Sequence, residues 1–238
     1  MKALRSSLKF FVVQKLNLSN KTAIHYILSG RVLVNGKKGT ITQVLLPEDE
    51  VQVDELVINE PKKKVYLAYH KPPGIESTMN GEIESNLLEA LNFNQTVFPV
   101  GRLDKASEGL MLLTNDGETL YKILHAERHQ EKEYVVTVDH PLTQQAIDNL
   151  AAGVMIMGQK TRTAAVRWVD DTTFNIILTQ GLNRQIRRMC YKLGYQVKKL
   201  VRIRIVNIEL GNLSPGEWRY LSPSEINDLI ERVSDCPG

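Results

Sequence analysis

The sequence predicts an α+β fold, in which a small N-terminal module precedes a larger module with a mainly antiparallel mixed sheet flanked by helices. Strand-like segments are interrupted by helices at hairpin-like spacings, without a regular βαβ rhythm. The polar stretch Glu60–Lys64 separates two parts of different pattern. We therefore expect domains at residues 1–58 and 65–233, joined by a linker at 59–64 and followed by a short tail at 234–238.

The N-terminal module is predicted to contain two helices followed by short strands. Serine or asparagine can cap the second helix and glycine can end it, while an Asn-Gly dipeptide is a strong signal for a two-residue hairpin turn. In order, the elements are helices at Ser6–Leu16 and from Ser19 or Asn20 to Gly30, a strand at Arg31–Val34, the turn Asn35-Gly36, and strands at Val51–Val53 and Val57–Ile58.

The larger module is predicted to consist mainly of strands, with helices between them. The strands are expected at Val65–Tyr69, Leu110–Leu113, Tyr134–Val138, Ala164–Val169, Phe174–Thr179 and Lys199–Leu210. The helices are expected to be capped by Asp116, Thr143, Asn183 and Ser224, and to end at His125, Gly153, Gly194 and Val233 respectively.

The distribution of charge indicates a polyanionic partner. The formal net charge of the 238-residue chain is only +3. However, residues 1–40 and 181–208 each contain eight Lys or Arg residues and no Asp or Glu. Two such stretches favour contact with a polyanion at two places, although solvated surface charge is the alternative.

The cysteine and hydropathy patterns favour a reducing cytoplasm. Cys190 and Cys236 are far apart and neither belongs to a C-x-x-C pattern, so we expect neither a disulfide framework nor a zinc site. No apolar run approaches the roughly 18–20 residues that span a bilayer, and no signal-peptide core is present. His125 and His129 have i, i+4 spacing but no third ligand, so we expect no metal site.

A charged loop between two apolar stretches, Phe98–Gly117, carries the strongest chemical signal. Arg102 and Asp104 lie two residues apart, so an extended chain would direct Leu103 to the opposite side. Gly109 then allows the chain to turn into the following strand. An aspartate on a loop next to a rigid sheet suits catalysis. From spacing alone, a turn aspartate that pairs with Arg102 is the better interpretation.

Four motifs in this order resemble those of pseudouridine synthases of the RsuA and RluA families. Gly101–Leu110 resembles their G-R-L-D signature, Lys71–Gly74 their K-P-x-G element, Lys132–Tyr134 their K-x-Y element, and Gln180–Met189 their late basic motif. The segment Ser29–Lys37, after two helices, resembles the S4 RNA-binding domain. Together these features are similar to the RsuA, RluB, RluE and RluF family of S4-domain synthases, and most of all to the RluF-like synthases of 23S rRNA.

The resemblance implies an isomerase that converts a specific uridine of 23S rRNA to pseudouridine by base flipping, without a cofactor. It implies that Asp104 is the nucleophile, that Arg187 orients its carboxylate, and that Tyr134 stacks on the uracil. The carboxylate can add to the ribose or to the base, or can assist glycal formation, and the sequence does not choose among these routes.

Further basic residues are expected to contact RNA. In the last predicted strand, alternation would place Arg202 and Arg204 together on one face, available to phosphates. Lys71 can contact phosphate or can be an exposed turn lysine. The candidate RNA contacts are Arg102, Lys71, Arg184, Arg188, Lys37, Lys38, Arg31 and Arg202.

We expect a monomer that binds ribosomal RNA and uses neither a membrane nor a nucleotide cofactor. The 23S molecule is the first candidate substrate, with tRNA and 16S rRNA as alternatives. A non-catalytic RNA-binding or ribosome-assembly protein is the main rival, but RNA binding alone does not need Asp104. An S4-containing methyltransferase is disfavoured, because no glycine-rich cofactor loop follows a predicted strand.

Overall fold

The computed structural model describes residues 7–46, 49–59, 63–124 and 130–234. The chain divides into two compact units, Met1–Lys63 and Lys64–Gly238, and the division falls inside the stretch predicted as a linker. Within the described residues, no helix has the length and apolar character needed to cross a membrane.

The first unit packs two helices against a four-stranded antiparallel sheet. Ser7 and Ser19 cap the two helices by accepting hydrogen bonds from the N–H groups of Phe10 and Thr22. Ser19 is one of the two residues predicted to cap the second helix. The elements are α1 (Leu8–Leu16), α2 (Asn20–Leu28), β1 (Val32–Val34), β2 (Lys37–Lys38), β3 (Val51–Val53) and β4 (Leu56–Asn59), with strand order β2-β1-β3-β4.

The Asn35-Gly36 turn joins β1 to β2 as predicted. Both residues have a positive φ, 51° and 73°, which is the requirement of the hairpin turn that suits the twist of the strands. Apolar side chains of the two helices and of β1 and β3 form the core of this unit.

The second unit contains most of the secondary structure. Its elements are β5 (Tyr66–Lys71), α3 (Leu87–Leu91), β6 (Phe98–Pro99), β7 (Glu108–Thr114), α4 (Gly117–Leu124), β8 (Lys132–Val138), α5 (Gln144–Ala152), β9 (Met155–Ile156), β10 (Gln159–Lys160), β11 (Ala165–Asp170), β12 (Thr173–Leu178), α6 (Gln185–Lys192), β13 (Val197–Ile205), β14 (Ile208–Glu209), β15 (Trp218–Tyr220) and α7 (Pro223–Ser234).

A nine-stranded mixed sheet organises the second unit, and it confirms the predicted α+β class. The order is β11-β12-β8-β13-β7-β5-β15, with β14 beside β13 and β6 beside β7. The β7–β13 pair is parallel, and the other pairs of this sheet are antiparallel. Helices α5 and α6 pack on one apolar cluster of the sheet, and α4 and α7 pack on another.

Two helix starts agree with the sequence prediction. Asp116 Oδ1 accepts from the N–H of Glu118 at 3.2 Å before α4, and Thr143 Oγ1 accepts from the N–H of Ala146 at 3.2 Å before α5. The expected end of α4 at His125 lies outside the described residues. The same is true of residues 60–62 of the predicted linker and of residues 235–238 of the predicted tail.

Two other predicted caps are wrong. Arg184, not Asn183, occupies the position before α6, and it does so in a left-handed conformation with φ 50°. Ser222, not Ser224, caps α7, because its Oγ accepts from the N–H of Glu225 at 3.2 Å while Pro223 takes the first helical position.

The last predicted strand is divided and irregular. It forms β13 and β14, and Val206 between them has a φ of 54°. In β13, Arg202 pairs with Tyr134 but Arg204 pairs with Glu133, so the register shifts by one residue. Because neighbouring residues of β8 point to opposite faces, this bulge directs Arg202 and Arg204 to opposite faces. The prediction that both share one exposed face is therefore wrong.

Candidate active site

A row of paired residues crosses four strands beneath the candidate site. Lys71 of β5 pairs with Gly109 of β7, Gly109 pairs with Arg202 of β13, and Arg202 pairs with Tyr134 of β8. Gly109 has a φ of 114°, and a Cβ there would lie 2.3 Å from the carbonyl oxygen of Arg202 and 2.5 Å from its nitrogen. Only glycine fits this close approach of β7 to β13.

A cavity of about 580 Å³ lies beside this row. Volumes of this order accommodate small-molecule ligands, and a nucleotide is of that size. The side chains around it include Asp104, Tyr134, Arg184, Arg187 and Arg202, all from the second unit. The G-R-L-D, K-x-Y and late basic motifs therefore meet at one place.

The loop that carries Asp104 is held by a buried serine. Leu103 is buried in the core while its neighbour Arg102 is exposed, which is the alternation that the sequence predicts. Ser77 Oγ donates to the carbonyl oxygen of Leu103 at 2.7 Å and accepts from its N–H at 3.1 Å. The residue directly before Asp104 is thus fixed on both sides of its backbone.

Lys71 holds the same loop from below, and this corrects both sequence interpretations of it. Its side chain is fully buried, and Nζ donates to the carbonyl oxygens of Pro72 and Ser107 at 2.8 Å and of Lys105 at 3.4 Å. It is therefore neither a phosphate contact nor an exposed turn lysine. Burial lowers the pKa of Lys71 to about 8, although the nearby acids Glu76 and Asp104 oppose this shift.

Arg184 makes the ion pair with Asp104, whereas the resemblance assigned that contact to Arg187. The distance from Arg184 Nη1 to Asp104 Oδ2 is 3.7 Å. The left-handed backbone of Arg184 is part of the turn that leads into α6. The carboxylate therefore pairs with the N-cap residue of α6 and not with a residue in the first turn of that helix.

Arg187 contacts the backbone of the loop instead. Its Nη2 donates to the carbonyl oxygen of Ala106 and to Ser107 Oγ, both at 3.2 Å, and its Nη1 donates to the carbonyl oxygen of Val197 at 3.2 Å. Burial, and then the nearby Arg184, lower the pKa of the Arg187 guanidinium, while Asp104 opposes the shift. Arg187 thus fixes the loop and still contributes positive charge near the carboxylate.

Tyr134 and Lys132 lie on the same face of β8, two residues apart, and both line the cavity. Tyr134 is half-buried, so its ring can offer a face to a bound base. Lys132 Nζ donates to the carbonyl oxygen of Gln130 at 3.2 Å. Burial, with a smaller effect of Arg202, lowers the pKa of Lys132 to about 8.

Arg202 is 1% exposed, so its predicted role as a surface phosphate contact is wrong. The bulge in β13 turns it toward the cavity, where its Nε donates to the carbonyl oxygen of Leu110 at 2.7 Å. Arg204, on the opposite face, pairs with Glu131 and Glu133 at 3.0 Å each.

The other candidate RNA contacts differ in accessibility. Arg188 is exposed and its Nε donates to the carbonyl oxygen of Asn183 at 3.0 Å. In the first unit, Lys37 and Lys38 are exposed on β2. Arg31 is engaged, because it forms a two-pronged ion pair with Asp54 and lies 3.7 Å from the ring centre of Tyr26.

Sequence reasoning missed the part played by Ser77 and the position of Lys132 at the cavity. Lys132 belongs to a motif that was recognised, but no function was assigned to it. Ser77 has no sequence signal, because its partner lies 26 residues away. Within the described part of the chain, no three His, Cys, Asp or Glu residues could hold a metal ion, and His125 and His129 fall outside that part.

Comparison with known proteins agrees with this geometry. The family model of RNA pseudouridylate synthases matches residues 65–192, which contain all four motifs. The chain belongs to the RNA pseudouridylate synthase family. Its members are isomerases that act on RNA, and the comparisons place this chain among them.

Individual relatives extend the match beyond the motifs. The dual-specificity RNA pseudouridine synthase RluF of Escherichia coli is 44% identical over 91% of this chain and 76% of its own length. The ribosomal large subunit pseudouridine synthase B of Bacillus subtilis is 31% identical over 89% of this chain and 90% of its own. A crystal structure of a pseudouridylate synthase is 27% identical, with a TM-score of 0.66, over 94% of this chain and 99% of its own.

Proposed function

We propose that this pseudouridine synthase isomerises a specific uridine of 23S rRNA with Asp104 as its nucleophile. The observation that carries the proposal is the position of Asp104. It lies at a nucleotide-sized cavity, on a loop held by Ser77, Lys71 and Arg187, with Arg184 beside the carboxylate. RNA binding alone does not need a carboxylate held in this way among cations.

The chemistry accounts for the residue types around the cavity. The reaction breaks the C1′–N1 bond, rotates the uracil and joins C1′ to C5, so no group is lost. Asp104 can add to the ribose or to the base, or can remove a ribose proton in glycal formation. Tyr134 stacks on the flipped uracil, which is worth about 1–3 kcal/mol, and repays part of the few kcal/mol that flipping costs.

The names of two relatives support the choice of RNA. The Bacillus subtilis relative is a synthase of the large ribosomal subunit, which favours 23S rRNA as substrate. The Escherichia coli relative is named for dual specificity, so a second RNA class, with tRNA as the first candidate, is the second function to test. We propose the cytoplasm, where ribosomal RNA is found, as the location of the protein.

The first unit supports an S4-like role in anchoring RNA. Its two capped helices, the hairpin at Asn35-Gly36 and the exposed Lys37 and Lys38 form a small basic module. We propose residues 1–58 as the S4-like domain, 59–64 as the linker and 65–233 as the catalytic domain of a monomer. Light scattering after size exclusion tests the oligomeric state.

Primer extension after carbodiimide treatment tests the activity and the target together. Unmodified 23S, 16S and tRNA transcripts are treated with wild-type protein or with Asp104→Asn. We expect a new stop in 23S RNA with wild type only, and Asp104→Asn should bind that RNA within a few fold of wild type, because the carboxylate acts in chemistry more than in docking.

Other outcomes have clear meanings. A stop only in tRNA or 16S transcripts would refute the 23S assignment and retain the enzyme. Residual turnover by Asp104→Asn with a large loss of affinity would refute the nucleophile assignment. No stop in any transcript, from a folded protein that binds RNA, would move the test to total cellular RNA and to ribosome-assembly particles.

A further inference from the structure

Three side chains that line the cavity beside Asp104 each have a buried donor atom whose hydrogen bond no described residue accepts: Arg202, Gln180 and Arg187. Arg187 already binds backbone carbonyls through both of its Nη atoms, so Arg202 and Gln180 are the two considered as base contacts. Arg202 is 1% exposed, yet its Nη2 has no partner within the described ranges. The Nε2 atom of Gln180 is also buried and equally without an acceptor there. Leaving a buried donor unpaired is destabilising by about 1–3 kcal/mol, so two such atoms at one cavity point to a ligand that accepts from them.

The fold brings the two donors to the same cavity from different elements. Arg202 pairs in register with Tyr134, so their side chains leave the same face of the sheet. Gln180 lies in the loop between β12 and α6, the loop that also carries Arg184. Both line the cavity together with Asp104 and Tyr134, so both donors are available to a base bound in this cavity.

The chemistry of the two donors matches a uracil ring. Uracil carries two carbonyl oxygens, O2 and O4, and both are acceptors. Cytosine replaces O4 by an amino group, which is a donor and would face another donor. Enzymes that flip a base read it by hydrogen bonds to its edge and by stacking, and this cavity offers both.

We propose that Arg202 Nη2 and Gln180 Nε2 donate hydrogen bonds to the carbonyl oxygens of the flipped uracil and thereby select uracil and stabilise its detached form. When the C1′–N1 bond breaks, its electron pair goes to N1 and spreads to O2 and O4. The new C1′–C5 bond takes a ring electron pair, the C5 proton leaves and N1 gains a proton, so the composition is unchanged. The inference rests on the proposed function of Asp104 at this cavity.

The charge around the cavity suits this task. Lys132 and Arg202 both line the cavity, and the charge of Arg202 adds to burial in lowering the pKa of Lys132. Preorganised donors aimed at developing negative charge are a principal source of catalysis. Arg202 would therefore act in the transition state as well as in recognition.

The test combines protein variants with modified substrates. Single-turnover rates are measured for wild type, Arg202→Lys and Gln180→Leu on RNA that carries uridine, 2-thiouridine or 4-thiouridine at the target. Sulfur accepts hydrogen bonds weakly, so each thio-substitution removes one proposed acceptor. Arg204→Lys is the matched control, because it changes the same residue type on the same strand but on the opposite face.

We expect Arg202→Lys to slow the uridine reaction by about 10–100-fold, as the loss of a charged hydrogen bond predicts, and Gln180→Leu by about 10-fold. Each variant should lose the sensitivity of wild type to one of the two thiocarbonyls, and Arg204→Lys should behave as wild type. Thermal unfolding verifies that the variants are folded. If Arg202→Lys does not fold, the rates of Gln180→Leu test the inference.

Two results would overturn the inference. One is a folded variant that keeps the wild-type rate within 2-fold or so. The other is a combined rate reduction, for a variant acting on a thio-substituted RNA, that equals the product of the two separate rate reductions. Such a result would show that the side chains and the carbonyls act independently. The RNA is one on which wild type already forms pseudouridine, so an error in the 23S assignment appears as missing wild-type product and cannot be confused with either result.

Discussion

The Asp104 loop shows how polar side chains fix the backbone on both sides of the proposed nucleophile. Ser77 fixes the backbone before the aspartate, and Lys71 and Arg187 fix the backbone after it. Each hydrogen bond to a charged donor is worth about 1.5–3 kcal/mol. These hydrogen bonds hold Asp104 near one geometry before RNA binds, so RNA binding has to order less of the loop.

Lys132 should make stability depend on pH in the alkaline range. Burial lowers its pKa to about 8 from 10.5, so its charge opposes folding at neutral pH. This penalty is relieved as the pH rises from about 8 to 10.5, because the folded state releases the proton before the unfolded state does. Relative to Lys132→Met, the free energy of unfolding of wild type should rise by about 2–2.5 kcal/mol between pH 7 and 10.

Urea denaturation at several pH values measures this difference. Lys160→Met, at an exposed lysine of β10, is the matched control and should give a difference that stays flat with pH. A flat difference for Lys132→Met as well would mean that the ammonium of Lys132 is not desolvated in the folded protein.

At the scale of elements, strands β7 and β13 meet at a point that accepts only glycine. Gly109→Ala would place a Cβ against the backbone of Arg202 at a positive φ. We expect a loss of at least about 3 kcal/mol in the free energy of unfolding, measured by urea denaturation. Gly117→Ala is the control, since its Cβ would meet nothing within 4 Å, and equal stabilities of the two variants would contradict this account.

Helix α7 offers a direct test of the corrected cap. Ser222→Ala removes the oxygen that accepts from the N–H of Glu225, and should lower the free energy of unfolding by about 1 kcal/mol. Ser224→Ala, one residue inside the helix, should have a smaller effect. A larger loss for Ser224→Ala, measured by thermal and urea unfolding, would restore the cap that the sequence predicts.

At the scale of the whole molecule, the two units carry separate basic surfaces. Neutralising Lys37 and Lys38 as a double Gln variant should reduce the magnitude of the slope of log affinity against log salt by up to about 2. Each phosphate contact that the variant no longer makes means that about one fewer counterion is released on binding. Filter binding to 23S RNA from 50 to 300 mM salt, roughly the range in which such slopes are resolved, measures it.

The control for this experiment is Lys160→Gln, which alters an exposed lysine outside the two basic stretches. Its slope should match that of wild type. An unchanged slope for the double variant would exclude β2 of the first unit from the RNA interface, and the S4-like role would then have to rest on other residues.

Much of the fold follows from local sequence patterns. Alternating apolar residues, the Asn35-Gly36 turn and the caps at Ser19, Asp116 and Thr143 each involve residues a few positions apart. Such interactions depend on short-range periodicity and hydrogen bonding, so the sequence alone predicted the α+β class and most of the elements. The motif around Asp104 likewise identified the loop and the family.

The tertiary structure decided how the charged residues are used. Lys71 is buried because carbonyl oxygens 34 and 36 residues away converge on its ammonium. A bulge in β13, set by pairing with β8, separates Arg202 from Arg204, which simple alternation would place together. The sequence therefore determined the fold class and the family, and long-range packing decided which arginine pairs with Asp104 and which side chains line the cavity, since those contacts depend on distant segments of the chain.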